Sequence, residues 1–341
     1  MGFVNWKIAA VSAISAILLH AGCTAASAQI RNMIGHDHAH DMVTEASIEG
    51  QVSFLADSLC RGRGTGTMGN TEAAFWISRH FSSLGLVPFG GSYPMSFRTA
   101  DGTVGRNVAG ILRASGDRGG KKRYIVVAAH YDGYGELEGN MYPGADSNAS
   151  GVVAMLETGK MLKAMMDLGK VYSHDIVFVA LDAKNVNMNG AKEFWQEIAS
   201  GRLQDPSTGR SIRKEDIAMM VNIDQIGSTL SPIRTGRKDY LIFLSDSRAD
   251  RLRRALLDAN SHYGLGLDLG FDYYGSKAFT DLFYREVSEQ KVFMENGVPA
   301  VMFTSGITMN NNKVRDTADT LDYKVLKDRI CAIFHWLEGI M

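Results

Sequence analysis

Three short segments carry residues of the kind that bind metals or move protons. "VVAAHYDGYG" sets His130 and Asp132 directly after an apolar run, "GADSNASGVVAMLE" sets Asp146 in a glycine-bounded turn before a helical run, and "NIDQIGS" sets Asp224 after another apolar stretch. Imidazole nitrogens and carboxylate oxygens are zinc ligands, and the His-x-Asp spacing lets Asp132 orient or ion-pair with His130. Each segment alone is weak, since Asp146 with Ser147 and Asn148 also reads as a helix-capping turn. Three such residues at the ends of three strands of one sheet would converge on one crevice. A fourth segment, "VALDAKNVNMNG", ends its strand at Asp182 and places Lys184 and Asn185 just beyond it.

Those positions require strands that stop at one edge of a sheet. Runs rich in β-branched and apolar residues predict strands at Asn107 to Leu112, Tyr124 to Ala129, Ile176 to Leu181, Met219 to Ile223, Tyr240 to Leu244 and Ala300 to Phe303. Helical spacing of apolar residues predicts helices at Ile48 to Cys60, Glu72 to Leu84, Ala149 to Met166, Ala191 to Ile198, Ser247 to Ser261 and Tyr323 to Leu337. Strands alternating with helices imply an α/β protein with a mostly parallel sheet covered on both faces. "GRGTGTMG" spells G-x-G-x-x-G, but a helix rather than a strand precedes it, so it is read as a glycine turn and not as a dinucleotide site.

The chain has 341 residues, 45% hydrophobic and 21% charged, with net charge −1. This balance can bury a large core and gives no reason to expect nucleic acid as a partner. In residues 1–28, Lys7, an apolar run from Ile8 to Leu19 and Ala26-Ser27-Ala28 read as a cleaved signal peptide, which implies export to the periplasm or the extracellular space. Cys23 behind Ala21-Gly22 offers lipid attachment as the alternative, and a membrane enters only through it. Residues 29–44, with His36, His38 and His40 in "GHDHAHD", are read as a flexible leader, although such a tract can also hold a metal. Residues 45–341 form one domain, since about 300 residues without a linker favour one over two. Cys60 and Cys331 are either a pair or two buried thiols.

With these segments located, the chain resembles a known family, the secreted di-zinc exopeptidases of metallopeptidase family twenty-eight. That family includes bacterial aminopeptidases, glutamate carboxypeptidases and glutaminyl cyclases. The resemblance runs from "LADSLCRGRGTGTMGNTEAAFWISRHFSSLGLVPF" through "NVAGIL", "AHYDGYG", "GADSNASGVVAMLE" and "NIDQIGS" to "GVPAVMF" and "DTADTLD". It implies a three-layer α/β/α sandwich with a mixed, mostly parallel sheet of about eight strands. It also implies that one zinc is held by His130, Asp146 and Asp224, with Asp146 bridging to a second ion. The other ligands of that second ion are the second member of a Glu-Glu pair and a histidine ahead of an Asp-Thr, and these positions fall on Asn185 and Arg315. The first glutamate, the general base, falls on Lys184. A Ser-Asp-His element appears as Ser288-Glu289-Gln290, so Gln290 replaces a further family histidine, and no histidine lies between His262 and His335.

The substituted groups are those that would run the reaction. A protonated lysine cannot take a proton from water, and loss of a general base costs on the order of a hundredfold to ten-thousandfold. The resemblance therefore implies a pseudopeptidase that binds a peptide-like ligand or a protein partner, with Lys184 and Arg315 replacing the zinc charges and no metal. The alternative is a peptide hydrolase with one zinc at most, at His130, Asp146 and Asp224, in which Lys184 and Arg315 point to solvent. Tyr131, Tyr134, Tyr142, Tyr273 and Tyr274 are either pocket walls or packing residues.

Overall fold

Every residue of Tyr124–His130 and Asp175–Leu181 is buried, as strands covered on both faces must be. The computed structural model describes residues 35–114, 116, 124–231, 235–246 and 249–341. The expected export segment, Cys23 and the first residues of the leader lie outside these. In chain order the elements begin with α1 (residues 35–42), α2 (Glu45–Ala56), α3 (Met68–Ser83), β1 (Val87–Pro88), β2 (Pro94–Arg98) and β3 (Val104–Leu112). They continue with β4 (Tyr124–His130), β5 (Gly135–Leu137), β6 (Asn140–Tyr142), α4 (Ser150–Asp167), β7 (Asp175–Leu181), α5 (Asn189–Ala199) and β8 (Ile217–Ile223). The last are β9 (Tyr240–Ser245), α6 (Asp250–His262), β10 (Asp268–Gly270), α7 (Lys277–Arg285), α8 (Gln290–Glu295), β11 (Ala300–Thr304) and α9 (Tyr323–Ile340).

Among the described residues the main sheet has nine strands in the order β1-β3-β7-β4-β8-β11-β9-β10, with β2 also paired to β3. Its middle, β7-β4-β8-β11, is parallel throughout, while β3 runs antiparallel to β7 and β9 antiparallel to β11. Alternation along β4 separates the two cores. Ile125, Val127 and Ala129 face the layer of α2, α3, α4, α6 and α9, and Tyr124, Val126 and Ala128 face α5 and α8. Helix starts follow ordinary capping rules, with Thr67 accepting from Asn70 N ahead of α3 and Asp322 from Val325 N ahead of α9.

The expected flexible leader does not extend over residues 35–42. Gly35, Ala39 and Val43 repeat every four residues and are buried. That stripe of small residues lets α1 settle on the α4 and α9 layer, a pattern masked by the alternating histidines.

Cys60 and Cys331 are both free and buried, which decides against a pair. Burial pushes their thiols up to about 11 and about 12, so neither supplies thiolate at neutral pH. Iodoacetamide at pH 8 is expected to leave both unmodified in the folded chain and to label both in guanidinium, read by peptide mass mapping. Labelling of either in the folded chain at the rate of an exposed thiol would contradict this burial.

Candidate active-site crevice

The parallel strands carry their chemistry to one edge because of register. Ala128 of β4 pairs with Asn222 of β8, so His130 and Asp224, two positions further on, arrive at the same level. His130 Nε2 lies 3.4 Å from Asp224 Oδ1, and both side chains are almost fully buried. The turn after β7 is anchored by Asp182, whose carboxylate accepts from Thr65 Oγ1, Asn70 Nδ2, Arg106 N and Ala183 N. Ala183 then takes the left-handed conformation, φ +56°, which is costly for a residue with a Cβ. The chain turns back over the strand ends as a result, and Lys184 N donates to Asp132 Oδ1 at 3.0 Å.

The Lys184 ammonium enters the crevice. Its Nζ is 2.5 Å from Asp224 Oδ2 and 4.0 Å from Glu289 Oε2, with the side chain only 15% exposed. Ser288 Oγ lies 2.6 Å from the same Asp224 oxygen and 2.7 Å from Glu289 Oε2. Burial works against the Lys184 charge, yet Asp224 and then Glu289 outweigh it and hold its pKa above the usual range. For His130, burial and Lys184 both oppose protonation, but the carboxylates of Asp132 and Asp224 prevail and raise it to about 9. Burial opposes the Asp224 charge as well, and Lys184 with His130 holds its pKa far below the carboxylate range. Two cationic side chains therefore face Asp132, Asp224 and Glu289.

Asp146 lies apart from this pair. Its Oδ1 accepts from Gly227 N at 2.8 Å, and its backbone N–H donates to Asp316 Oδ1 at 2.8 Å. Burial and the neighbouring Asp316 carboxylate push Asp146 up to about 7. Asp146 lines a small cavity of about 270 Å³ with Asp316, Ser228 and Leu321, whereas His130 and Asp224 line a separate one of about 440 Å³. Among the described residues, His130, Asp146 and Asp224 are not a trio with ligand atoms within 4.8 Å of one another. The expected first ligand set is thus not gathered at one point: Asp146 Oδ1 is taken up by Gly227 N and the Asp146 and Ser147 amides by Asp316, while Asn148 of the same turn reaches His130 O and Ile223 O at the ends of β4 and β8.

Other expected positions fall as follows. Asn185 is exposed, its backbone and side-chain nitrogens both turned to Asp132 Oδ2. Arg315 is exposed, which corrects its expected role as a cation of the site; the neighbouring Asp316 is the residue that turns inward, and Asn311 and Asn312 line the larger cavity. Gln290 is fully buried and works as a strut, with Nε2 donating to the carbonyls of Phe283 and Tyr284 and Oε1 accepting from Asn222. Of the five tyrosines, Tyr273 lines the crevice and Tyr274 an adjoining pocket. Tyr131 is core, with its hydroxyl on Arg106 O, and Tyr134 and Tyr142 pair with each other beside the β5-β6 hairpin.

Sequence reasoning gave no role to Glu289, Asp316 or Arg63. For Asp316 a signal existed, since "RDTADT" holds two Asp-Thr pairs and the first, not the second, reaches the site. Nothing in the sequence marks Arg63.

The donor set does not fit two zinc ions. Of the positions expected to serve a second ion, Asn185 supplies an amide turned to Asp132 and Arg315 is exposed, and an ammonium stands against Asp224. For one ion the fit is partial. His130 Nε2, Asp224 Oδ1 and Asp146 Oδ2 are buried without hydrogen-bond partners. The 3.4 Å between the first two suits neighbouring ligands of one tetrahedral ion. The three ligand atoms do not all lie within 4.8 Å of one another. The larger cavity is lined by the polar Lys184, Gln225 and Thr304 and by the apolar Leu282, Phe283 and Val287.

Residues 107–336 match the model of peptidase family M28. Over 96 residues the chain is 35% identical to Nicalin of Caenorhabditis elegans, a stretch that makes up 28% of this chain and 16% of that protein. Over 118 residues it is 25% identical to the BOS complex subunit ncln of Danio rerio, 34% of this chain and 19% of that one. The matches thus span less than a fifth of the length of these curated relatives. The zinc aminopeptidase BSAP of Bacillus subtilis has the same fold, with a TM-score of 0.63 at 12% identity over 87% of this chain and 95% of its own.

Proposed function

Because the chain belongs to peptidase family M28, we propose that it is a pseudopeptidase whose crevice binds a peptide-like ligand and no longer hydrolyses it. The observation that carries this reading is the buried ammonium of Lys184, 2.5 Å from Asp224; on the family resemblance Lys184 occupies the general-base position. A cation there balances the carboxylates that a metal would otherwise neutralise, and it cannot accept a proton from water. A ligand with a polar end at Lys184, Asp224 and Gln225 and an apolar side chain against Phe283 and Leu282 suits the walls of the cavity. Likeness to a BOS complex subunit supports a protein partner. Export belongs to the same proposal and rests on residues 1–28.

A second reading, a hydrolase with a single zinc, draws on the three unpartnered atoms of His130, Asp146 and Asp224. Full chain loaded with zinc and assayed on a panel of chromogenic aminoacyl substrates decides between the two. The pseudopeptidase shows no chelator-sensitive turnover, and Asp224→Asn leaves its zinc content unchanged. Turnover abolished by chelator, with zinc lost in Asp224→Asn, would overturn it.

A further inference from the structure

Far from the crevice, the helices at the two ends of the described chain meet in a cluster of imidazoles that the peptidase scaffold does not use. His36 and His40 stand one turn apart on α1, and His335 and Glu338 stand three residues apart on α9, so each helix presents its pair on one face. Packing of α1 on α9 closes the gap. His36 Nε2 lies 2.7 Å from Glu338 Oε2, His335 Nδ1 lies 3.6 Å from the same oxygen, and His40 Nε2 lies 2.7 Å from His335 Nε2. Among the described residues, His36, His335 and Glu338 are the one trio of His, Cys, Asp or Glu whose ligand atoms all fall within 4.8 Å of one another.

We propose that His36, His335 and Glu338 form a binding site for a divalent ion of the zinc type, which clamps α1 onto α9. Two imidazole nitrogens and a carboxylate oxygen are the ligand chemistry of such an ion, with a fourth position left for water. His335 Nδ1 is buried without a hydrogen-bond partner and is turned toward the carboxylate.

The surroundings are arranged as those of metal ligands are. The second carboxylate oxygen, Glu338 Oε1, accepts from Tyr172 Oη at 2.5 Å. The second nitrogen of His335 faces His40, so with Nδ1 on the ion the Nε2–H donates to His40 Nε2 and fixes the tautomer. Tyr263 stacks on His335 with rings 3.3 Å apart and 7° from parallel, which sets the plane of the imidazole. Ligands of a tetrahedral zinc stand roughly 3.3 Å apart. The 2.7 Å and 3.6 Å from the carboxylate oxygen to the two imidazoles bracket that separation, and all three ligand atoms lie within 4.8 Å of one another. His36 and Glu338 keep a little solvent exposure, 11% and 6%, through which an ion can enter. His38 is exposed and takes no part.

The test is titration of chelator-stripped full chain with zinc chloride by calorimetry, repeated with cobalt(II) to read its visible absorption. One ion is expected to bind and to raise the melting temperature. Glu338→Gln and His36→Ala should abolish both effects, and Tyr172→Phe should weaken binding 10- to 100-fold. Asp224→Asn should leave this ion in place, which separates it from any ion in the crevice. His36→Ala lies on a peripheral helix, so it reports even if Glu338→Gln fails to fold. Absence of zinc binding, or binding that survives loss of His36 and Glu338 while disappearing with Asp224→Asn, would overturn the assignment.

Discussion

Lys184→Ala is expected to destabilise the fold by about 3 to 5 kcal/mol, the range for removing one partner of a buried ion pair. The size of the effect comes from what is left behind. Asp224 and Glu289 are 3% and 1% exposed and share the Ser288 hydroxyl, so without the ammonium two carboxylates would remain in a region of low polarity with His130 as the one nearby cation. Urea unfolding of the single variants and of the double variant Lys184→Ala with Asp224→Asn isolates the pair. If the ammonium serves to balance Asp224, the double variant loses less than the sum of the singles. A cost below about 1 kcal/mol for Lys184→Ala, the range of exposed pairs, would mean that the lysine does not hold the site together.

A comparable loss, about 4 kcal/mol or more, is expected for Arg63→Ala. Arg63 is fully buried, and its guanidinium donates to the carbonyls of Leu55, Tyr131, Pro143 and Gly144. These belong to the end of α2, the residue after His130 and the turn before Asp146, so one side chain ties together three segments that frame the crevice. Removing it leaves buried acceptors unpaired and opens a cavity between them. Arg63→Lys should recover little, because a single ammonium cannot reproduce the flat fork that reaches four carbonyls in different directions. Denaturant midpoints decide the matter. A lysine variant close to wild type would show that charge rather than geometry is what Arg63 supplies.

The six strands and six helices read from apolar periodicity all occur in the structure, most within three residues of their expected ends. They were legible because burial on both faces demands continuous apolar runs and burial on one face demands helical spacing. Short edge elements were not, since β1, β2 and β10 bury little and α7 buries only Tyr284. α1 was missed for a related reason, its buried stripe being made of Gly35, Ala39 and Val43 beneath a tract of histidines. At the site, the convergence of His130 and Asp224 followed from strand ends that the sequence displays. The outward turn of Arg315 did not, because it depends on the path of a loop without apolar period, in which Gly306 takes φ +91° and Ile307 N is held by the Tyr273 hydroxyl.

The sequence by itself determined that residue 184 is a lysine and not a carboxylate, and that no histidine lies between 262 and 335. The absence of a functional group needs no coordinates. Only the tertiary structure decided that Lys184 rather than Arg315 stands against Asp224, that the Asp146 carboxylate is taken up by Gly227 N, and that His36 meets Glu338 across 302 residues of chain. Such contacts depend on left-handed turns, on the route of irregular loops and on how one helix lies across another. Local spacing carries no record of these, because the forces that set them act between segments distant in the chain.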